Sequence, residues 1–148
     1  MVAVINTIAS PLEVAVYRDG ILFKRVTLDG LASDELLPLL LELLKEGVSS
    51  FLYTSGPGSH MATKICYTLL KSVEVLKGVP FYAVSGFDLN GNEPIKALGK
   101  LYFIKEKENI ITKKFQEAVE SSFVMPERLE HLKVLECSEP DYHIAAVR

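Results

Sequence analysis

Ser50-Phe51-Leu52-Tyr53-Thr54-Ser55-Gly56-Pro57-Gly58-Ser59-His60-Met61-Ala62 is the stretch whose reading decides the fold. A five-residue apolar run from Ser50 to Thr54 reads as a buried strand, and the residues after it can only turn. Gly56 and Gly58 permit positive φ, Pro57 fixes its own φ, and Ser59 is placed to cap the first amides of a helix running from His60 to Lys77. Gly78 ends that helix in the left-handed conformation, and Pro80 opens a further strand through Ser85. Strand, turn, helix and strand in that order form a crossover unit, so the two strands run parallel.

Upstream, Val2 to Ile8 is a nearly continuous apolar run, as expected of a central strand covered on both faces. Pro11 interrupts it. Glu13 to Arg18 and Ile21 to Val26 then flank Asp19-Gly20, a pair that favours a tight hairpin because both turn positions want positive φ. Ser33 is the expected N-cap of a helix ending at Lys45, with Asp34 and Glu35 in its first turn and Pro38 early in its body. Its leucines exceed one face. Leu36, Leu40 and Leu43 form one stripe, and Leu37, Leu41 and Leu44 form the neighbouring one. Either neighbouring helices cover the second stripe, or another protein does.

Downstream, Gly86 to Glu93 turns to Gly, Asn and Asp and marks a boundary, giving domains at 1–86 and 87–148. Beyond it, Lys100 to Lys107 and Ile110 to Phe115 suggest a hairpin around Glu108-Asn109, Pro126 to Leu132 a short helix, and Tyr142 to Val147 a last strand. The fold class is α/β: a mixed five-stranded sheet, three antiparallel strands followed by parallel ones, with a reduced second lobe.

With 148 residues, 49% of them hydrophobic, the chain is one domain or two small lobes. Its 16 basic and 19 acidic side chains contain no cationic run of the kind that tracks phosphates, so nucleic-acid binding by the chain alone is not expected. The start lacks a basic flank and a cleavage-like site, and no apolar run approaches membrane-spanning length. A cytoplasmic protein with reduced Cys66 and Cys137 is expected.

The Ser55 to Ser59 turn presents helix-opening amides that attract anions, but no lysine follows Gly58 as a Walker loop requires. Ser59 beside His60 lacks the G-x-S-x-G setting of a nucleophile, and a cap accounts for Ser59. His60, His131 and His143 are scattered without metal-ligand spacing, and Cys66 lies among apolar neighbours. Asp88, Asn90, Asn92 and Glu93 resemble part of a calcium loop without its flanking helices. No catalytic, cofactor or metal residue is assigned.

The order of elements resembles one RNase H-like lobe of the actin, sugar-kinase and Hsp70 superfamily. More specifically, Gly56-Pro57-Gly58-Ser59 with Ile65 behind it looks like the G-P-G-S-F-T-G-x-R-I-G signature of the TsaB (YeaZ-like) family. Ile5-Asn6-Thr7 is similar to that family's L-D-T-A start, Tyr17-Arg18-Asp19-Gly20 to its N-D-G turn, Leu37-Pro38-Leu39 to its L-P-M, and Val79-Pro80 through Val84-Ser85 to its G-V-S segment. The chain departs from the signature at Asn6 for aspartate, His60-Met61-Ala62 for Phe-Thr-Gly, Lys64 for arginine and Cys66 for glycine. Ala32 stands where some relatives carry histidine.

The resemblance implies a scaffold without chemistry of its own. Such proteins dimerise through their first two helices and use the same face to support a TsaD-like enzyme, with a TsaE-like ATPase, in tRNA threonylcarbamoyladenosine modification. Joined to the leucine surplus, this places an interface at Leu37, Leu40, Leu41 and Leu44 of the first helix and at Met61, Ala62, Lys64, Ile65 and Thr68 of the second. Gly56, Pro57, Gly58 and Ser59 form a structural turn. The rival expectation is a small ATP-binding phosphotransferase of the same superfamily, against which Asn6 and the absence of a second phosphate-loop sequence both count. A further alternative is an interaction module of another complex.

Overall fold

The computed structural model describes residues 1–58, 60–98, 100–106, 109–117 and 122–140. At its centre is β1 (Val2–Asn6), flanked by β2 (Leu12–Arg18) and β4 (Ser50–Thr54). Outside them lie β3 (Ile21–Leu28) and β5 (Phe81–Val84), giving the order β3-β2-β1-β4-β5. The β1–β2 and β2–β3 pairs are antiparallel, while β1–β4 and β4–β5 are parallel, as the crossover argument requires. Asp19 and Gly20 both have positive φ at the β2–β3 hairpin.

Strand alternation divides this sheet cleanly. Ala3, Ile5, Val14, Val16, Phe51, Tyr53, Phe81 and Ala83 form a core with the helices α1 (Ala32–Lys45) and α2 (His60–Lys77). Val4, Ala15, Tyr17, Leu52 and Val84 belong to a second core, with Leu89, Met125 and Leu132.

Helix α1 begins two residues earlier than expected. Leu31, not Ser33, is the N-cap; the Leu31 carbonyl accepts from the amides of Asp34 and Glu35, and Glu35 Oε2 in turn accepts from Gly30 N at 2.9 Å. The carboxylate reaches back to the residue before the N-cap and fixes the chain entry, while no side chain caps the first helical amides. Pro38 consequently lies two positions deeper in the helix, in its second turn. Gly78, at φ +69°, closes α2 with its amide donating to the Glu74 carbonyl at 2.9 Å.

A second sheet, in the order β6-β7-β8, is wholly antiparallel: β6 (Ile95–Leu98), β7 (Leu101–Glu106) and β8 (Asn109–Lys114). The expected hairpin is β7–β8, and β6 was not anticipated because four residues carry no readable period. Ile95 and Phe103 join the sheet to Phe87, with Ile8, Ile110 and Phe123 around them.

The chain after Gly86 is divided between the two sheets. Residues 122–138 return to the first one as a strap. Arg128 bridges to Ile21 at the β3 edge, and Val134 bridges to Val84 at the β5 edge. Leu22 N donates to the Glu127 carbonyl and Leu135 N to the Ala83 carbonyl. The short helix expected over Pro126 to Leu132 is reduced to one 3₁₀ turn, Leu129–His131. A helix of seven residues would span about 10 Å, and the edges of five strands stand about 19 Å apart, so the segment must extend to clasp both. The strand expected over Tyr142 to Val147 lies outside the described residues. Among the described residues no helix is long and apolar enough to cross a membrane.

Candidate functional site

The two leucine stripes of α1 separate by burial. Leu36, Leu40 and Leu43 are fully enclosed against the sheet and α2. Leu37 and Leu41 remain 39% and 43% exposed, and Leu44 is half-buried. Leu40, expected at an interface, is therefore a core residue: it stands three and four positions from Leu43 and Leu36, on the face that meets the sheet.

On α2, which packs beside α1, Met61 is 70% exposed, Lys64 and Thr68 are exposed, and Ala62 and Ile65 are half-buried. Sequence reasoning missed the other end of this helix, where Val75 and Leu76 are also open to solvent. Met61, Ile65, Thr68, Ser72 and Leu76 recur at helical spacing, and that period was the signal available. Acidic side chains predominate on α1, which also carries the exposed Lys45, and basic ones on α2, where Lys71 is paired with Glu74. Asp34, Glu35, Glu42 and Glu46 are exposed on α1; Lys64, Lys71 and Lys77 are exposed on α2.

The strand ends beneath the glycine turn hold a buried polar knot. Thr7 N donates to Thr54 Oγ1 at 2.8 Å, Thr7 Oγ1 donates to the Thr54 carbonyl at 2.8 Å, and the Thr7 and Thr63 hydroxyls lie 2.9 Å apart. Asn6 Oδ1 accepts from Ile8 N at 3.2 Å and from Thr54 Oγ1 at 3.3 Å. These bonds tie β1, β4 and α2 together, and none of the side chains involved carries charge at neutral pH.

Above the knot, Gly56 and Gly58 have φ +132° and +149°, and Gly56 O accepts from Gly86 N at 3.0 Å. Pro57 is buried between them, and Ser59 lies outside the described residues. The space at the carboxyl ends of the parallel strands, where open α/β sheets commonly receive ligands, is occupied by Ile8. Its Cγ2 lies 2.7 Å from where a Cβ on Gly58 would stand, its Cδ1 abuts Gly86, and Ile95 approaches both glycines. An anion placed over this turn would meet aliphatic carbon.

The nucleophile candidates are similarly enclosed. Cys66 is fully buried, and burial pushes its thiol above the usual cysteine range, away from the reactive thiolate. Among the described residues no group of three His, Cys, Asp or Glu side chains could hold a metal ion.

No protein-family model matches the sequence, and no curated protein matches it. Among solved structures, YeaZ from Pseudomonas aeruginosa superposes with a TM-score of 0.56 at 16% identity, covering 83% of this chain and 66% of that one. The fold is that of YeaZ. A second P. aeruginosa structure, of an uncharacterized protein described as similar to peptidase YeaZ, gives a TM-score of 0.52 at 19% identity over 86% of this chain and 67% of that one. The chain thus spans about two thirds of the length of the YeaZ structure it matches. The mixed sheet with its helices on one face is the YeaZ-like arrangement expected from the glycine turn.

Proposed function

We propose that this chain is a TsaB-like scaffold that pairs with a second copy of itself through α1 and α2 and uses that face to support a TsaD-like enzyme in tRNA threonylcarbamoyladenosine modification. The observation that carries the reading is the outward leucine stripe. Leu37 and Leu41 stay open although Leu36, Leu40 and Leu43 already fill the contact with the sheet, and Met61 and Leu76 are exposed on α2, the helix packed beside α1. Contiguous exposed apolar side chains rimmed by charge mark protein interaction surfaces. A second copy suits the charges: a two-fold pair can set the acidic rim of one α1 against the basic rim of the partner's α2, and the reverse contact follows by symmetry.

Light scattering across concentration tests the pairing. A dimer dissociated by the double variant Leu37→Asp with Leu41→Asp, with unchanged melting, supports it. A monomer at tens of micromolar wild-type chain would overturn it. Retention of a TsaD-like subunit by the wild type, lost in the same variant, would extend the reading from self-pairing to the complex.

The phosphotransferase reading is less well supported. Asn6 cannot ionise to hold a metal, and Ile8 fills the ground over the turn. A peptidase role, suggested by one neighbour's description, would need an activated nucleophile; Cys66 is enclosed and protonated, and the Thr7 hydroxyl is committed to Thr54 and Thr63.

A further inference from the structure

Net charge hides a segregation. Between positions 94 and 117 stand six lysines and three glutamates, in a chain that is acidic as a whole. The lysines are scattered in sequence and form no run; strand register assembles them. Lys96 pairs with Tyr102, and Tyr102 pairs with Lys113, so one row across β6, β7 and β8 reads lysine, tyrosine, lysine on a single face. That face is opposite the one carrying Ile95 and Phe103, which pack inward on Phe87.

At the end of the same face, Phe115 N donates to the Lys100 carbonyl, and the Lys100 ammonium donates to the Gln116 carbonyl at 2.7 Å. The Phe115 ring meets Tyr102 edge-on, with centroids 5.3 Å apart, and Lys113 Nζ stands 5.7 Å from the Phe115 centroid. Lys96, Lys100 and Lys113 are exposed, and Phe115 is half-buried. Lys24 pairs with Glu46 and Lys71 with Glu74, and among the described residues no ion pair involves Lys96, Lys100 or Lys113.

We infer that this face of the second sheet binds a single-stranded nucleic acid, with the phosphate backbone on Lys96, Lys100 and Lys113 and one base against Phe115. Lys96 and Lys113 flank Tyr102 two strands apart, about 10 Å from backbone to backbone, a spacing that lets one anionic chain reach both. A sheet presenting cations around an aromatic ring is the surface that single strands use, because every base offers a flat face and every linkage a charge. Lysines on an edge strand also discourage edge-to-edge pairing. β6 and β8 are both edges of this three-stranded sheet, so that role accounts for Lys96 and Lys113; it does not account for Lys100, between β6 and β7, or for the Phe115 ring beside Lys113. The inference is independent of the proposed pairing through α1 and α2, which lies on the other sheet.

Fluorescence anisotropy with a labelled twelve-nucleotide oligouridine tests it. Binding is expected at low salt, weakening about twentyfold between 50 and 200 mM salt, as release of counterions by three lysine contacts to a single strand requires. Lys96→Glu with Lys113→Glu should abolish it at unchanged melting temperature, while Arg25→Glu with Lys133→Glu, exposed on β3 and on the strap, should leave it intact. Phe115→Leu should weaken oligouridine several-fold and heparin not at all. The inference is overturned by no binding at 50 mM salt, by insensitivity to Lys96→Glu with Lys113→Glu, by equal effects of Phe115→Leu on heparin and oligouridine, or by binding to phosphatidylglycerol vesicles in place of the oligonucleotide.

Discussion

Ile8 reaches from the end of the central strand until its Cδ1 touches the Gly86 backbone, in the place a Cβ would occupy. Gly86 N meanwhile donates to the Gly56 carbonyl, so the glycine turn and the end of β5 close around one isoleucine. Gly86→Ala is therefore expected to destabilise by about 1–3 kcal/mol through overpacking. In Ile8→Ala the same substitution should cost much less, because the two residues share one space. Urea unfolding of the four-member cycle measures this; additive effects would mean that the contact is not the cause. Thermal melting with ATP and magnesium should stay unshifted in the wild type, since a ligand specific to the native state would raise it.

Leu37 and Leu40 are three positions apart and should behave oppositely. Leu40→Ala removes an enclosed side chain and is expected to cost about 2–5 kcal/mol. Leu37→Asp with Leu41→Asp should change melting little and shift the mass in light scattering to that of a monomer. Unfolding of that pair would place both leucines in the core.

That contrast also shows what could be read from residue order. Periodicity identified two leucine stripes, and the excess over one contact was visible, but neighbouring stripes differ by about 100° of rotation and composition does not say which one faces the sheet. The glycine turn was legible because Gly56 and Gly58 both need positive φ and few other residues supply it cheaply. The strap was not. Its attachments join Ile21 to Arg128 and Val84 to Val134, single bridges between distant positions that leave no period behind. The lysine face escaped for the same reason, since Lys96 and Lys113 come onto one row, on either side of Tyr102, only through the register of three strands.

The threonine knot predicts a ranking. Thr7 makes hydrogen bonds through both its amide and its hydroxyl to Thr54, and its hydroxyl also meets Thr63. Thr7→Val strips the hydroxyl and leaves Thr63 without this partner, so a loss of about 1–3 kcal/mol is expected. Thr63→Val leaves the Thr7 hydroxyl still bonded to the Thr54 carbonyl and should cost less. Guanidinium unfolding gives both values, and the reverse order would show that Thr63 anchors the knot.

The cysteines should separate by accessibility. Cys137 is exposed and Cys66 enclosed, with its thiol held protonated by burial. A thiol reagent in excess should therefore titrate one group rapidly in the native protein and two in denaturant. Rapid labelling of both under native conditions would mean that α2 opens away from the sheet.

Tyr17 fastens the strap, and the fastening is sensitive to pH. Its hydroxyl donates to the Pro126 carbonyl at 2.6 Å. Burial, then the nearby Glu127 and Glu13 carboxylates, push its pKa up to about 12 from an ordinary 10. Between those values the unfolded chain releases the proton while the folded chain keeps it, so stability falls as pH rises through this window and is intact below pH 10. Tyr17→Phe removes the titrating group together with the hydrogen bond. It should start about 1 kcal/mol less stable at pH 8 and lose less between pH 10 and 12, so that the two stability curves converge. Other tyrosines and the lysines titrate in both proteins, which makes the difference between the curves the meaningful quantity. Parallel curves would show that Tyr17 ionises freely and that the strap is held elsewhere.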